Sequence, residues 1–167
     1  MFLQSYHRVL ALSLASLTLA IVATSAHHVF RLGSGLVPVT LLVFVTPLVL
    51  MALYIKTKHR ALLVAYGIYT TLVVTWFGFL DGFTDHVLKA LGIQNLTFLP
   101  GSDAEVVATV YSLWSPEATH AFYEGSGVLT FVLSVFTVFY TLRFMRNEFR
   151  SGQVASPGGV DRSSLSS

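Results

Sequence analysis

The chain has 167 residues, of which 54% are hydrophobic and only 11% charged, with a formal net charge of +2 and no cysteine. Soluble domains carry roughly 25% charged residues, so there is too little charge here to solvate a globular surface, and a mean hydropathy of +0.70 points to lipid as the surroundings. The small net charge argues against a nucleic-acid partner, and the lack of cysteine excludes disulfides, thiolate zinc sites, iron–sulfur clusters, thioether-linked haem and thiol catalysis.

Four apolar runs, at about 9–26, 37–55, 61–80 and 123–142, are each close to the roughly 20 helical residues that cross a bilayer core. The first follows Arg8 and ends in the small residues Ala23, Thr24, Ser25 and Ala26. That pattern also resembles a secretory signal cleaved before His27. The run is longer than the usual core of about 7–15 residues, so an uncleaved anchor is expected. Gly33, Ser34 and Gly35 make a tight turn into the second run, where Pro38 suits a first helical turn and Pro47 should kink the interior. The third run carries the hydroxyls of Tyr66, Tyr69, Thr70, Thr71 and Thr75, which can bond carbonyls of the preceding turn without any substrate.

The connection over residues 81–122 is the long one. Its first part continues the third helix to Gly92, a C-terminal stop. Asn95, Leu96 and Thr97 match a glycosylation sequon. Ser102 and Glu105 form a capping box that should open a short amphipathic helix, its apolar stripe running through Val106, Val110 and Trp114 along the membrane surface. Ser115, Pro116 and Glu117 read as cap, first helical residue and acid at a positive helix end. In the fourth run Gly125, Ser126 and Gly127 offer a small-residue face for close packing.

Basic residues set the orientation. Arg8, the cluster Lys56, Lys58 and Arg60, and the cluster Arg143, Arg146 and Arg150 share one side if there are four spans, and that side should be cytoplasmic. The expected fold is therefore all-α: an integral-membrane four-helix bundle over residues 1–150, with both termini cytoplasmic and a surface helix in the outer loop. The Ser- and Gly-rich tail 151–167 is expected to be disordered.

Depth counting brings the polar residues together. At about 1.5 Å per residue, Arg8 to His27, Arg60 to Asp81 and Glu124 to Arg143 each span roughly 28–31 Å, one hydrocarbon thickness. His27, His28, Asp81 and Glu124 should share a plane at the outer mouth, with Asp85, His86 and His120 one turn further out. In an α-helix Asp81 and Asp85 share a face, and His86 stands about 100° round from Asp85. Glu117 and His120 have the Glu-x-x-His spacing of carboxylate-bridged di-metal sites, although those sites carry it twice. Each residue alone has a plain structural role, as a cap, an ion pair or an interfacial group. Their convergence points to a transition-metal site built from His27, His28, Asp81, Asp85, His86, His120 and Glu124, suited to zinc, copper, iron or manganese, with Asp81 or Glu124 deepest.

Three function classes follow. The first is a metal-binding protein of the cytoplasmic or plasma membrane, acting in transport, delivery or redox chemistry. The second is a haem-b carrier using axial histidines. The third is an accessory subunit docking on other membrane subunits, or on its own copies, through the outer polar groups. A proton- or ion-coupled transporter is disfavoured because no charged residue falls in mid-membrane. No phosphate loop or Gly-x-Ser-x-Gly elbow is present, so no enzyme class is assigned.

Overall fold

The computed structural model describes residues 2–93 and 114–154, and side chains within 7–93 and 114–150. All regular elements among them are helical: α1 (Phe2–Leu32), α2 (Val37–Thr57), α3 (Arg60–Ala90) and α4 (Pro116–Val154). All four are long and apolar enough to cross a membrane. Each is longer than its apolar run. Hydropathy marks where a helix leaves oil, whereas helical hydrogen bonding continues past that level. The expected surface helix and the sequon lie outside the described residues. Trp114 is described, and its ring packs against Phe30 of α1 and Phe122 of α4. Helix α4 runs on to Val154, four residues into the stretch expected to be disordered, and residues beyond it are not described.

The ends follow local chemistry. Gly33, at φ +93°, turns the chain into a single 3-10 turn, Ser34–Leu36, that leads into α2 with Pro38 in its first turn. Lys58 closes α2 in the left-handed conformation and His59 caps α3 by accepting from the Ala61 amide. Gly92, at φ +75°, ends α3, and the Ile93 amide reaches back to the Leu88 carbonyl. Ser115 caps α4 through its hydroxyl, which accepts from the Ala118 amide.

The helices alternate in direction. Ser13 and His27 of α1 meet Thr141 and Ser126 of α4, so these two helices run antiparallel. Helices α1 and α3 run parallel, Ser13 meeting Tyr66 and His27 approaching Asp81. Buried Leu17, Ile21, Met51, Leu63, Tyr66 and Phe144 fill the core. At the end bearing the basic residues, the Tyr54 hydroxyl of α2 donates to the Glu148 carboxylate of α4.

Lipid offers nothing to an unsatisfied polar group, so most hydroxyls inside such a bundle bond back to their own helix or across to another, although Thr18 and Ser134 bury hydroxyls without a partner among the described residues. Thr70, Thr71, Thr130 and Thr137 bond the carbonyl four residues back. Ser13 instead joins Tyr66 (3.0 Å) and Thr141 (2.9 Å), tying α1, α3 and α4 at one level.

Pro47 is the clearest case of a defect repaired by tertiary structure. It lies buried inside α2 and has no N–H, so the Val43 carbonyl loses its helical donor. The Tyr69 hydroxyl of α3 donates to that carbonyl. The position of Tyr69 is thus specified by a proline on the neighbouring helix. Tyr69→Phe should cost about 0.5–1.5 kcal/mol of unfolding free energy in detergent. The cost should largely disappear in a Pro47→Ala background, where the alanine amide reclaims the carbonyl; equal costs in both backgrounds would refute the coupling.

Candidate metal centre

The site begins with the geometry of α3. From Val74 to Val87 its backbone makes π-type, i→i+5 hydrogen bonds. This adds about one residue per turn, so the neighbours that face the same way as residue i become i+4 and i+5 rather than i+3 and i+4. In an α-helix His86 would stand about 140° from Asp81. In the widened helix Asp85 and His86 flank Asp81's direction, and all three are buried: Asp81 is 3% exposed, Asp85 1% and His86 1%. The sequence-based facing of His86 is corrected by this change of helix type. Gly78, Gly82 and His86 form a second buried line at four-residue spacing, as the wider turn requires.

Close approach of α4 makes the wider helix packable. A Cβ on Gly82 would stand 2.9 Å from the Gly127 carbonyl oxygen, and one on Gly127 would stand 2.0 Å from Cδ2 of His86. The His86 ring occupies the space that any side chain at 127 would need. The small-residue face expected from residues 125–127 is used at Gly127, whereas Gly125 is exposed with open space around it.

Three imidazoles are each held through Nδ1. His27 Nδ1 lies 2.9 Å from Ser126 Oγ, and that hydroxyl gives its own proton to the Tyr123 carbonyl, so it accepts from His27. His28 Nδ1 donates to the Thr24 carbonyl at 2.9 Å. His86 Nδ1 donates to Glu124 Oε2 at 2.9 Å. For His27 and His86 the partner has only an acceptor to offer, so Nδ1 carries the proton and Nε2 keeps its lone pair, while His28 Nδ1 also lies 3.2 Å from the Thr24 hydroxyl. Nε2 of His27 and Nε2 of His86 are buried with no hydrogen-bond partner among the described residues, and the same holds for both carboxylate oxygens of Asp81. His27 Nε2 stands 4.0 Å from Asp81 Oδ2.

Aromatic packing fixes the ring planes. Tyr123 stacks on His27 at 4.4 Å between centroids and meets His86 edge-on at 4.9 Å, while His27 and His86 touch each other at 4.8 Å. The guanidinium of Arg31 lies 5.9 Å from the centre of the Tyr123 ring, closing the outer side.

The seven candidate residues therefore fall into two layers. His27, His28 and Asp81 bring ligand atoms within 4.8 Å of one another, as do Asp81, Asp85 and His86; these groups could hold a metal. Glu124 is one bond further out, joined to His86 and, at 2.6 Å, to Lys89. His120 has a side chain 54% exposed and lies 4.0 Å from Glu124, at the rim. Glu117 is exposed at the start of α4. Sequence reading missed Ser126, Tyr123 and Gly127. Spacing on α4 could have signalled Ser126, two residues from Glu124 and level with His27, but nothing local marks Gly127 as the seat of a ring from another helix.

The chain matches no protein-family model, and no curated protein or solved structure is similar to it.

The crowding at Gly127 gives opposite signs two residues apart. Gly125→Ala should stabilise the bundle by about 0.5–1 kcal/mol through helix propensity alone. Gly127→Ala should destabilise it by about 1–3 kcal/mol through overpacking against His86, and His86→Ala should relieve most of that loss. Thermal unfolding in detergent measures all three; equal effects at the two glycines would contradict the packing described.

Proposed function

We propose that this is a membrane protein that holds a transition-metal ion at the outer end of its bundle. One observation carries the reading: three imidazoles have their Nδ1 engaged, His27 and His86 bury Nε2 atoms without hydrogen-bond partners, and Asp81 buries both its oxygens in the same state among the described residues. Burying a carboxylate in that state costs several kcal/mol unless a cation or a proton compensates. Fixing the far nitrogen of a histidine with a hydroxyl, carbonyl or carboxylate is how ligating imidazoles are oriented. His27, His28, Asp81, Asp85 and His86 are the ligands in this proposal. Glu124, with Lys89, orients His86, and His120 stays outside the ligand set.

The nitrogen and carboxylate donors suit zinc, iron, manganese or copper, in the absence of thiolates. A haem reading is less well supported, because the touching rings of His27 and His86 would have to part to admit a macrocycle. A resident ion fits better than one passed across the membrane. Between the site and the basic end, the buried polar groups are hydroxyls such as Ser13, Thr70, Thr137 and Thr141, which are poor transition-metal ligands. A groove of about 220 Å³ between α1, α2 and α3 reaches His28.

The basic residues support placing this end outside the cell membrane, with both termini in the cytoplasm. Because the chain has no cysteine, single cysteines report cleanly. A membrane-impermeant maleimide applied to intact cells should label Ser34→Cys and leave Lys58→Cys unlabelled; the reverse pattern would invert the proposed orientation.

Purified in mild detergent and incubated with Zn²⁺, the protein should retain metal through desalting, as read by elemental analysis. Asp81→Ala should abolish retention, Glu124→Gln should weaken affinity about 10–100-fold, and His120→Ala should leave it unchanged. A folded wild-type protein that retains no Zn²⁺, Co²⁺, Cu²⁺, Mn²⁺ or Fe²⁺ would overturn the proposal.

A further inference from the structure

We propose that the centre is built for two ions, with Asp81 as the carboxylate between them. This rests on the metal-binding reading above and adds its stoichiometry and bridging group. The ligand atoms divide into two groups, His27 with His28 and Asp81, and Asp81 with Asp85 and His86, and Asp81 is the member they share. It is shared between helices: the histidine pair comes from α1, and Asp85 and His86 come from α3, four and five positions further along.

Asp81 has two oxygens to account for. Oδ2 lies 4.0 Å from His27 Nε2, a little wider than the spacing of about 3.3–3.6 Å between two donors of one tetrahedral ion, so a small inward movement lets one ion join them. A single ion there leaves Oδ1 buried without a partner among the described residues. A second ion bound with Asp85 and His86 satisfies it. A carboxylate bridging in this way holds ions about 3.5–4 Å apart, as in two-metal sites.

The two imidazoles are also anchored separately. His27 is held by Ser126 and His86 by Glu124, so each Nε2 is delivered independently although the rings touch. Each position has three protein ligands, which leaves room for water or hydroxide to complete the coordination of each ion.

The positions differ in access. Asp81, Asp85 and His86 are all buried, whereas His28 is partly exposed and lines the groove between α1, α2 and α3. The α1-side ion is therefore the exchangeable one and the α3-side ion the retained one.

The full-length protein in mild detergent, loaded with Co²⁺ and desalted, should carry two ions per chain by elemental analysis. His28→Ala and His86→Ala should each carry one, Asp81→Ala none, and brief treatment of wild type with a chelator should leave one. Helicity by circular dichroism and a monodisperse elution check that each variant is folded. Wild type loaded with Mn²⁺ provides a test that needs no variant: a bridged pair gives an exchange-coupled multiline electron paramagnetic resonance spectrum with half the hyperfine spacing of an isolated ion. One ion per chain with an uncoupled six-line spectrum would overturn the bridge while leaving metal binding intact. Two ions per chain that His28→Ala does not reduce would place the second elsewhere and also overturn it. No ion on a folded wild type would overturn the metal-binding reading itself.

Discussion

The close approach of α3 to α4 at Gly82 and Gly127 is the constraint on which the polar end of the bundle depends. With no side chain at either position, the helices come near enough for the His86 ring to lie where a Cβ of residue 127 would stand. That contact places His86 Nδ1 against Glu124 of α4 and buries Nε2. It also sets Tyr123 against both His86 and His27, so that one aromatic ring contacts two imidazoles drawn from different helices. A larger residue at 127 would disturb the ring, its anchor and its neighbour together.

The widened turn of α3 is the second half of the same arrangement. An α-helix can direct Asp81 and Asp85 into a bundle but turns His86 away. The π-type stretch directs all three inward and aligns Gly78 and Gly82 with the approach of α4. Widened turns of this kind occur frequently at functional sites, and here the reason is geometric, since it packs three adjacent donor side chains onto one face. The wider helix gives up regular α geometry and gains close backbone packing along two glycines.

Away from this end, the bundle is held by a different economy of polar groups. Most threonines return their hydroxyls to their own helix, and the few that cross between helices do so at defined levels, Ser13 with Tyr66 and Thr141 near one end and Tyr69 with the carbonyl freed by Pro47. The apolar faces of α2, among them Leu41, Leu42 and Val45, remain exposed. Buried acceptors without a hydrogen-bond partner among the described residues gather at His27, Asp81 and His86, whereas Thr18 and Ser134 each bury a single unpartnered hydroxyl elsewhere.

What the sequence by itself determined was the set of long apolar helices, their turns at Gly33 and Gly92, the cap at Ser115, and the shared level of His27 and Asp81, because hydropathy, capping chemistry and rise per residue are local properties. The π-type stretch of α3 and the inward turn of His86 were not legible. Both depend on a helix changing its hydrogen-bond register in answer to packing by α4, and composition carries no trace of which carbonyl an amide will choose. For the same reason Tyr69 read as one more span hydroxyl, Gly127 as one more small residue, and Glu124 as a candidate, with Asp81, for the deepest ligand. Only the tertiary structure decided that Tyr69 serves Pro47, that Gly127 seats His86, and that Glu124 holds an imidazole from behind, since each role belongs to a pair of residues on different helices and exists only once those helices meet.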